Sequence, residues 1–322
     1  MGPAPSDVAV CLMGPTATGK TELALALADR LPVGLISVDS AMVYRHLDIG
    51  TGKPSPDVLR RHPHRLVDIR EPWQQYSAGE FVQDASLALE QIRLSGRMPL
   101  LVGGTLLYFR SLTAGLSVLP AADPTVRAEL ESRAARDGWA ALHAELSGVD
   151  PAAAARISVN DRQRIQRALE VWLLTGHPIS VLQGRRRAMP NVREGGKFLK
   201  IGLVPRDRQL LGVRIARRFG AMLDRGFIGE VEALLSRPEM HPDSPALRAV
   251  GYRQIAHFVG GLCSRAEAED HALAATRQLA KRQLTWLRME ACDYWLDMES
   301  ETLVADLEEV LRVAVPRMQN QP

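Results

Sequence analysis

The sequence predicts an α/β fold: a parallel sheet flanked by helices and interrupted by a helical insertion. Three observations predict it. Gly14-Pro15-Thr16-Ala17-Thr18-Gly19-Lys20-Thr21 fits G-x-x-x-x-G-K-[ST], a phosphate-binding loop. Short apolar runs at 8–13, 35–39, 98–103 and 198–204 are separated by segments with helical periodicity, as buried parallel strands and their crossover helices are. From Ala121 to about Arg187 the strand signals stop, and Ala- and Arg-rich helical segments take over. The expected core is therefore P-loop NTPase-like, built from residues 1–120 and 198–322, with 121–197 as a helical insertion domain.

Composition bounds the function. No apolar run approaches the roughly 18 residues that a membrane span needs, and Met1–Asp7 lacks the basic and apolar regions of a secretory signal. Cys11, Cys263 and Cys292 are odd in number, far apart and outside C-x-x-C spacing, which argues against a disulfide framework and a zinc site. A cytoplasmic protein with reduced thiols is expected, and nothing demands more than a monomer. The net charge is only +3, yet eight arginines and two acids lie between Arg156 and Arg193. Such a cluster suits a polyanionic partner, although a solvated basic face would have the same composition.

The elements follow in order. Val8–Met13 reads as a buried strand and 22–30 as a helix of strong helix formers, so the loop between them aims backbone N–H groups and a helix N-terminus at an anion. Lys20 adds a point charge, and the Thr21 hydroxyl suits Mg²⁺. A second strand, Leu35–Asp39, ends in a carboxylate. Asp39 is either a strand-end functional group or, with Ser40, the cap of a following turn of helix. Leu66–Ile69 reads as a further strand and Ser77–Leu94 as a helix ended by Gly96. The run from Met98 ends in Gly103-Gly104-Thr105, where a phosphate-loop hydrolase usually carries an acid for Mg²⁺. That substitution argues against nucleotide hydrolysis.

Within the insertion, Asn160-Asp161 can cap a helix running to Leu174 whose apolar face carries Ile165, Leu169 and Trp172. Gln163 and Arg167, and Arg164 and Arg167, are neighbours on its surface, and Arg with Gln suits phosphate and base-edge contacts. A returning strand is expected at 198–204. Helices are expected from Gln209, carrying Arg214, Arg217 and Arg218, and from Ala272 to Met289.

Several of these segments together resemble the tRNA dimethylallyltransferase family: the phosphate loop, Ser37-Val38-Asp39-Ser40-Ala41, Asp48-Ile49-Gly50-Thr51, Gly103-Gly104-Thr105, the run Asp161 to Glu170, Val250-Gly251-Tyr252-Arg253, and Thr276 to Gln283. The resemblance covers nearly the whole chain, with the motifs in order. It implies transfer of a dimethylallyl group from dimethylallyl diphosphate to N6 of adenine 37, in the anticodon stem-loop of tRNAs reading codons that start with U. Residues 14–21 would then hold diphosphate rather than ATP, with Mg²⁺ on Thr21. The resemblance assigns the base to Asp39 and a catalytic place to Thr105. It assigns a diphosphate contact to Arg218, for which Arg217 competes on sequence alone. It also implies tRNA contacts at Asp39, Ser40, Ala41, Met42, Thr105, Arg127, Gln163, Arg164, Ile165, Gln166, Arg167, Arg248, Ala249, Val250, Gly251, Tyr252 and Arg253. The cysteine and histidine pattern of the zinc finger carried by eukaryotic relatives is lacking, so the bacterial type is the closer match.

Three other readings stand beside this one. A small-molecule kinase would share the phosphate loop but calls for an acid at a strand end. An isopentenyltransferase acting on free adenine nucleotides would share the loop and Asp39 but has no use for the basic insertion. An RNA-binding module with a nucleotide switch leaves Asp39 and Thr105 unexplained.

Overall fold

The computed structural model describes residues 8–117, 119–183, 186–187 and 197–314. The chain opens with β1 (Val8–Met13), the phosphate loop, α1 (Lys20–Ala28) and β2 (Val33–Val38). It continues through α2 (Pro56–Arg61), β3 (His64–Arg65), α3 (Ala78–Leu94), β4 (Met98–Gly103) and α4 (Leu106–Ala114). Next come β5 (Leu116–Ser117), α5 (Pro124–Asp137), α6 (Trp139–Val149), α7 (Pro151–Ala154), α8 (Arg162–Thr175), α9 (Ile179–Gln183) and β6 (Arg186–Arg187). The chain then forms β7 (Lys197–Val204), α10 (Arg208–Asp224), α11 (Phe227–Leu235), a 3₁₀ turn (Pro245–Arg248), α12 (Tyr252–Val259), α13 (Arg265–Arg288), β8 (Tyr294–Asp297) and α14 (Leu303–Ala314).

Two compact units result: Met1–Thr113 with Asn191–Pro322, and Ala114–Pro190. The smaller unit starts earlier than residue 121 because β5 pairs antiparallel with β6, Leu116 opposite Arg187.

In the larger unit six strands form one sheet in the order β3-β2-β4-β1-β7-β8, every pair parallel. Strands covered on both faces need apolar side chains on both, which is why β1, β2 and β4 read as continuous apolar runs. Val10, Leu12, Leu35, Leu100, Ile201 and Leu203 share a core with Leu23 and Leu27 of α1 and Leu307 and Leu311 of α14. Across the sheet, α3 presses on β2 so closely that a Cβ on Gly34 would lie 2.5 Å from Ile92 Cγ2. A capping box joining Ser77 and Glu80 starts α3. Gly96, at φ 73, lets the chain leave it.

Strand order places the site. The chain crosses from β1 to β2 and β4 on one side and to β7 and β8 on the other, so strand order reverses at β1. Ligands in such sheets sit beyond the carboxyl ends of the strands at that reversal. The β2–β4 register sets Val38 opposite Gly103, which brings Asp39 beside Gly104-Thr105.

The expected strand Leu66–Ile69 does not form. Leu66 (φ 66) and Asp68 (φ 57) are left-handed, incompatible with an extended ladder. The short strand is His64–Arg65 instead, and a single bridge links Tyr44 to Arg70.

The smaller unit has its own core of Leu130, Leu142, Leu146, Ile165, Leu169 and Ile179. Asp161 caps α8 by accepting from the Arg164 amide (3.2 Å), and Gly176 at φ 68 ends it. Of the basic cluster, Arg185 and Arg193 lie outside the described residues. Among those described, no helix is long and apolar enough to cross a membrane.

Candidate active site

The phosphate loop leaves β1 at Gly14, where a Cβ would lie 2.6 Å from the Leu203 carbonyl oxygen, so only glycine fits. Two residues then take left-handed backbone, Ala17 (φ 65) and Gly19 (φ 86), before α1 begins at Lys20. Buried Thr18 pins the turn by donating to the Pro15 carbonyl (2.9 Å). Lys20 Nζ donates to the same oxygen (2.5 Å). Burial first, and then the neighbouring Arg218 guanidinium, push the Lys20 ammonium down to about 7, against Asp39 and Glu22, which raise it. A lysine in this state gains most from an incoming polyanion.

Arg218 and Arg217 compete on sequence; the structure separates them. Arg217 is exposed on α10. Arg218 is half-buried, donating from Nη2 to the Thr51 carbonyl (2.7 Å), with Nη1 3.4 Å from Thr16 Oγ1 in the phosphate loop. Burial lowers its proton affinity, and Asp39 and Glu22 oppose that.

Asp39 follows the end of β2, and of its two sequence readings the capping one is seen directly. Oδ1 caps a turn by accepting from the amides of Ala41 (2.8 Å) and Met42 (3.2 Å). Oδ2 has no hydrogen-bond donor among the described residues. The cap therefore fixes the carboxylate through one of its two oxygens. Thr105 Oγ1 accepts from the Ser40 amide (3.1 Å), tying the ends of β2 and β4 together. Gly103 permits that approach, since a Cβ there would be 2.0 Å from the Val38 carbonyl oxygen.

Sequence reasoning placed Gln283 in a matching motif but gave it no role. Its Oε1 accepts from the Thr16 amide (2.9 Å) and its Nε2 donates to the Gly104 carbonyl (3.0 Å). One side chain of α13 thus joins the phosphate loop to the Gly103–Thr105 turn. Sequence reasoning also missed Glu230 and Lys53, which brace the loop carrying Thr51; only a hydrogen-bond map reveals them. Lys53 is buried and bonds the Tyr44 carbonyl (3.1 Å), Asp48 (2.5 Å) and Asp68 (2.6 Å).

The remaining expected contacts divide. Arg248 and Arg253 are exposed at either end of a turn in the larger unit, while Gly251 and Tyr252 are buried and Ala249 and Val250 are half-buried. In the smaller unit Gln163 and Arg164 are exposed, the Arg164 side chain 64% so. Ile165 is corrected: it is fully buried in that unit's core and presents no side chain to a ligand. Arg127 and Arg167 are committed inward, to Glu170. Arg127 Nε lies 2.8 Å from Oε1 and Arg167 Nη1 2.5 Å from Oε2, with the Asp123 amide on Oε1 at 2.9 Å. Burial opposes ionisation of Glu170, and those hydrogen bonds outweigh it, so the carboxyl titrates below its usual range. Gln166 is likewise occupied, donating to the Arg127 carbonyl and to Glu131.

A phosphate loop facing a strand-end carboxylate and threonine at the reversal point of a parallel sheet defines an α/β transferase of the phosphate-loop class. The chain belongs to the IPP transferase family, whose profile matches residues 42–290; an isopentenyl transferase profile matches 8–70. It is 55% identical over 284 residues to a protein of Burkholderia ambifaria named tRNA dimethylallyltransferase, covering 88% of this chain and 87% of that relative. The structure of a full-length tRNA isopentenylpyrophosphate transferase from Bacillus halodurans aligns over 97% of both chains, with a TM-score of 0.69 and 34% identity. A eukaryotic dimethylallyltransferase acting on tRNA shares the fold, with a TM-score of 0.75 at 23% identity, over 98% of this chain and 80% of that one.

Proposed function

We propose that the protein transfers the dimethylallyl group of dimethylallyl diphosphate to N6 of adenine 37 in the anticodon stem-loop of tRNA. The observation that carries this is the Asp39 oxygen with no donor among the described residues, held within electrostatic reach of Lys20 and Arg218. The exocyclic amine of adenine is a weak nucleophile because its lone pair is delocalised into the ring. As N6 attacks the allylic C1, the C1–O bond breaks, diphosphate departs, and a proton passes from N6 to Asp39 Oδ2. The loop amides from Ala17 to Thr21, Lys20 and Arg218 meet the charge that develops on the leaving group. Thr105, fixed to Ser40, lines the acceptor side.

Mg²⁺ is the expected cofactor, and the residues fit it. The Thr21 hydroxyl has no partner among the described residues, and no cluster of three His, Cys, Asp or Glu side chains there would cage a metal. Magnesium usually takes few protein ligands and completes its shell with phosphate oxygens and water; bound here, it would neutralise diphosphate charge.

The adenine leaves its stack to reach Asp39. Exposed Arg164, Gln163, Arg248 and Arg253 suit the RNA backbone, and Asp39 to Met42 lie where the base arrives. A cytoplasmic monomer fits this role. Incubation with unmodified tRNA and dimethylallyl diphosphate, followed by mass measurement of the nucleosides, tests the reading. A gain of one dimethylallyl group on adenosine is expected. Prenylation of free adenine nucleotide in preference to tRNA, or phosphoryl transfer from ATP, would replace it.

A further inference from the structure

The loop from Asp48 to Gly52 is gripped by a side chain that belongs to neither the phosphate loop nor the acceptor side. Glu230, in the first turn of α11, accepts from the amides of Asp48 (3.0 Å), Ile49 (2.6 Å) and Gly50 (3.1 Å). It accepts a fourth bond from the Tyr252 hydroxyl (2.5 Å). Successive backbone N–H groups converging on one point form an anion nest, and here the chain supplies the anion itself. Burial and Glu230 push the Tyr252 hydroxyl well above its usual range, so it stays a donor at any working pH. Packing closes the loop from outside: a Cβ on Gly50 would come 2.1 Å from the Phe227 ring.

What the loop presents is the Thr51 carbonyl, which accepts from Arg218 Nη2 at 2.7 Å. Gly52 leaves room for the guanidinium, since a Cβ there would lie 2.3 Å from Nη2. We propose that Glu230 is a positioning residue for the transferase: by clamping the amides of residues 48–50 it fixes the Thr51 carbonyl, which aims Arg218 at the leaving diphosphate. The proposal rests on the reading of Arg218 as a diphosphate contact. Glu230 makes no hydrogen bond to Arg218 among the described residues; the bonded route between them runs through the loop.

Binding of inorganic diphosphate with Mg²⁺, measured by calorimetry on the full chain, tests both links. Four proteins are compared: wild type, Glu230→Gln, Arg218→Ala and the double variant. Glutamine keeps the shape but cannot accept all four bonds, and loss of charge-assisted hydrogen bonds predicts a roughly tenfold rise in Kd. In the Arg218→Ala background the same substitution should change Kd little, because its target is gone. A merely structural role would weaken binding equally in both backgrounds; that additivity, or unchanged binding by Glu230→Gln, overturns the proposal. Wild-type binding by Arg218→Ala alone overturns the reading beneath it. Where Glu230→Gln does not fold, Tyr252→Phe removes one of the four bonds. It should weaken binding severalfold only when Arg218 is present, and no shift would count against the clamp.

Discussion

Lys20 and Arg218 lie within electrostatic reach of each other, and among the described residues neither is hydrogen-bonded to a carboxylate. Two cations held this way are costly until an anion arrives. With the Lys20 ammonium at about 7, a large share of the empty protein is deprotonated there above neutrality. Diphosphate favours the protonated form, so binding at about pH 8 should take up a proton and weaken as pH rises. Calorimetry in buffers of different ionisation enthalpy measures that uptake. Lys20→Arg, which stays charged, should bind without it.

The same burial predicts a gain in stability from a loss of function. The folded state depresses the Lys20 value below that of the unfolded chain, so the cost is fully present below about pH 7 and fades as pH rises toward the unfolded lysine value. Lys20→Met should therefore raise the melting temperature of the empty protein by about 2–4 °C at pH near 6, for a gain of order 1 kcal/mol. The advantage should narrow at alkaline pH while diphosphate binding is lost. Scanning calorimetry across pH checks the sign.

Asp39 offers a clean separation of cap from base. Asp39→Asn keeps an acceptor for the Ala41 and Met42 amides but removes the proton acceptor. Turnover should fall roughly a hundredfold or more with the melting temperature unchanged, whereas Asp39→Ala should lower both. Single-turnover prenylation and thermal melting distinguish the two.

Arginines of α8 should divide by what they touch. Arg164→Ala should weaken tRNA binding and reduce the salt slope by about one, at little cost in stability. Glu170→Gln leaves Arg127 and Arg167, both partly exposed, facing an uncharged buried partner and should cost roughly 1–2 kcal/mol. Urea denaturation reads that loss. Because Glu170 titrates below its usual range, its contribution is present at neutral pH and disappears as pH falls through the folded value.

These contrasts indicate what a sequence makes legible. The phosphate loop, its flanking strand and helix, and Asp39 at a strand end announce themselves because short-range geometry dictates local residue choice. Gly103 and Gly104 were visible as a departure from the hydrolase pattern, although not the close approach of Val38 and Gln283 that requires them. Leu66–Ile69 misled because its apolar content follows packing, while Leu66 and Asp68 take left-handed backbone to place Asp68 on Lys53. Arg127 is hidden in the sequence because its partner, Glu170, lies on another helix, whereas Arg167 and Glu170 are i, i+3 neighbours within α8. Glu230 and Gln283 were out of reach for the same reason: each joins segments distant in sequence.

Gln283 has one last consequence. Its head both accepts from Thr16 and donates to Gly104, so the position demands a neutral planar group with two opposite polarities. Glutamate would set a negative charge against the Gly104 carbonyl, lysine could not accept from the Thr16 amide, and asparagine is one methylene too short. The separation between the donor and acceptor halves of the cleft is therefore gauged by the length of a single uncharged side chain, one that does not itself titrate.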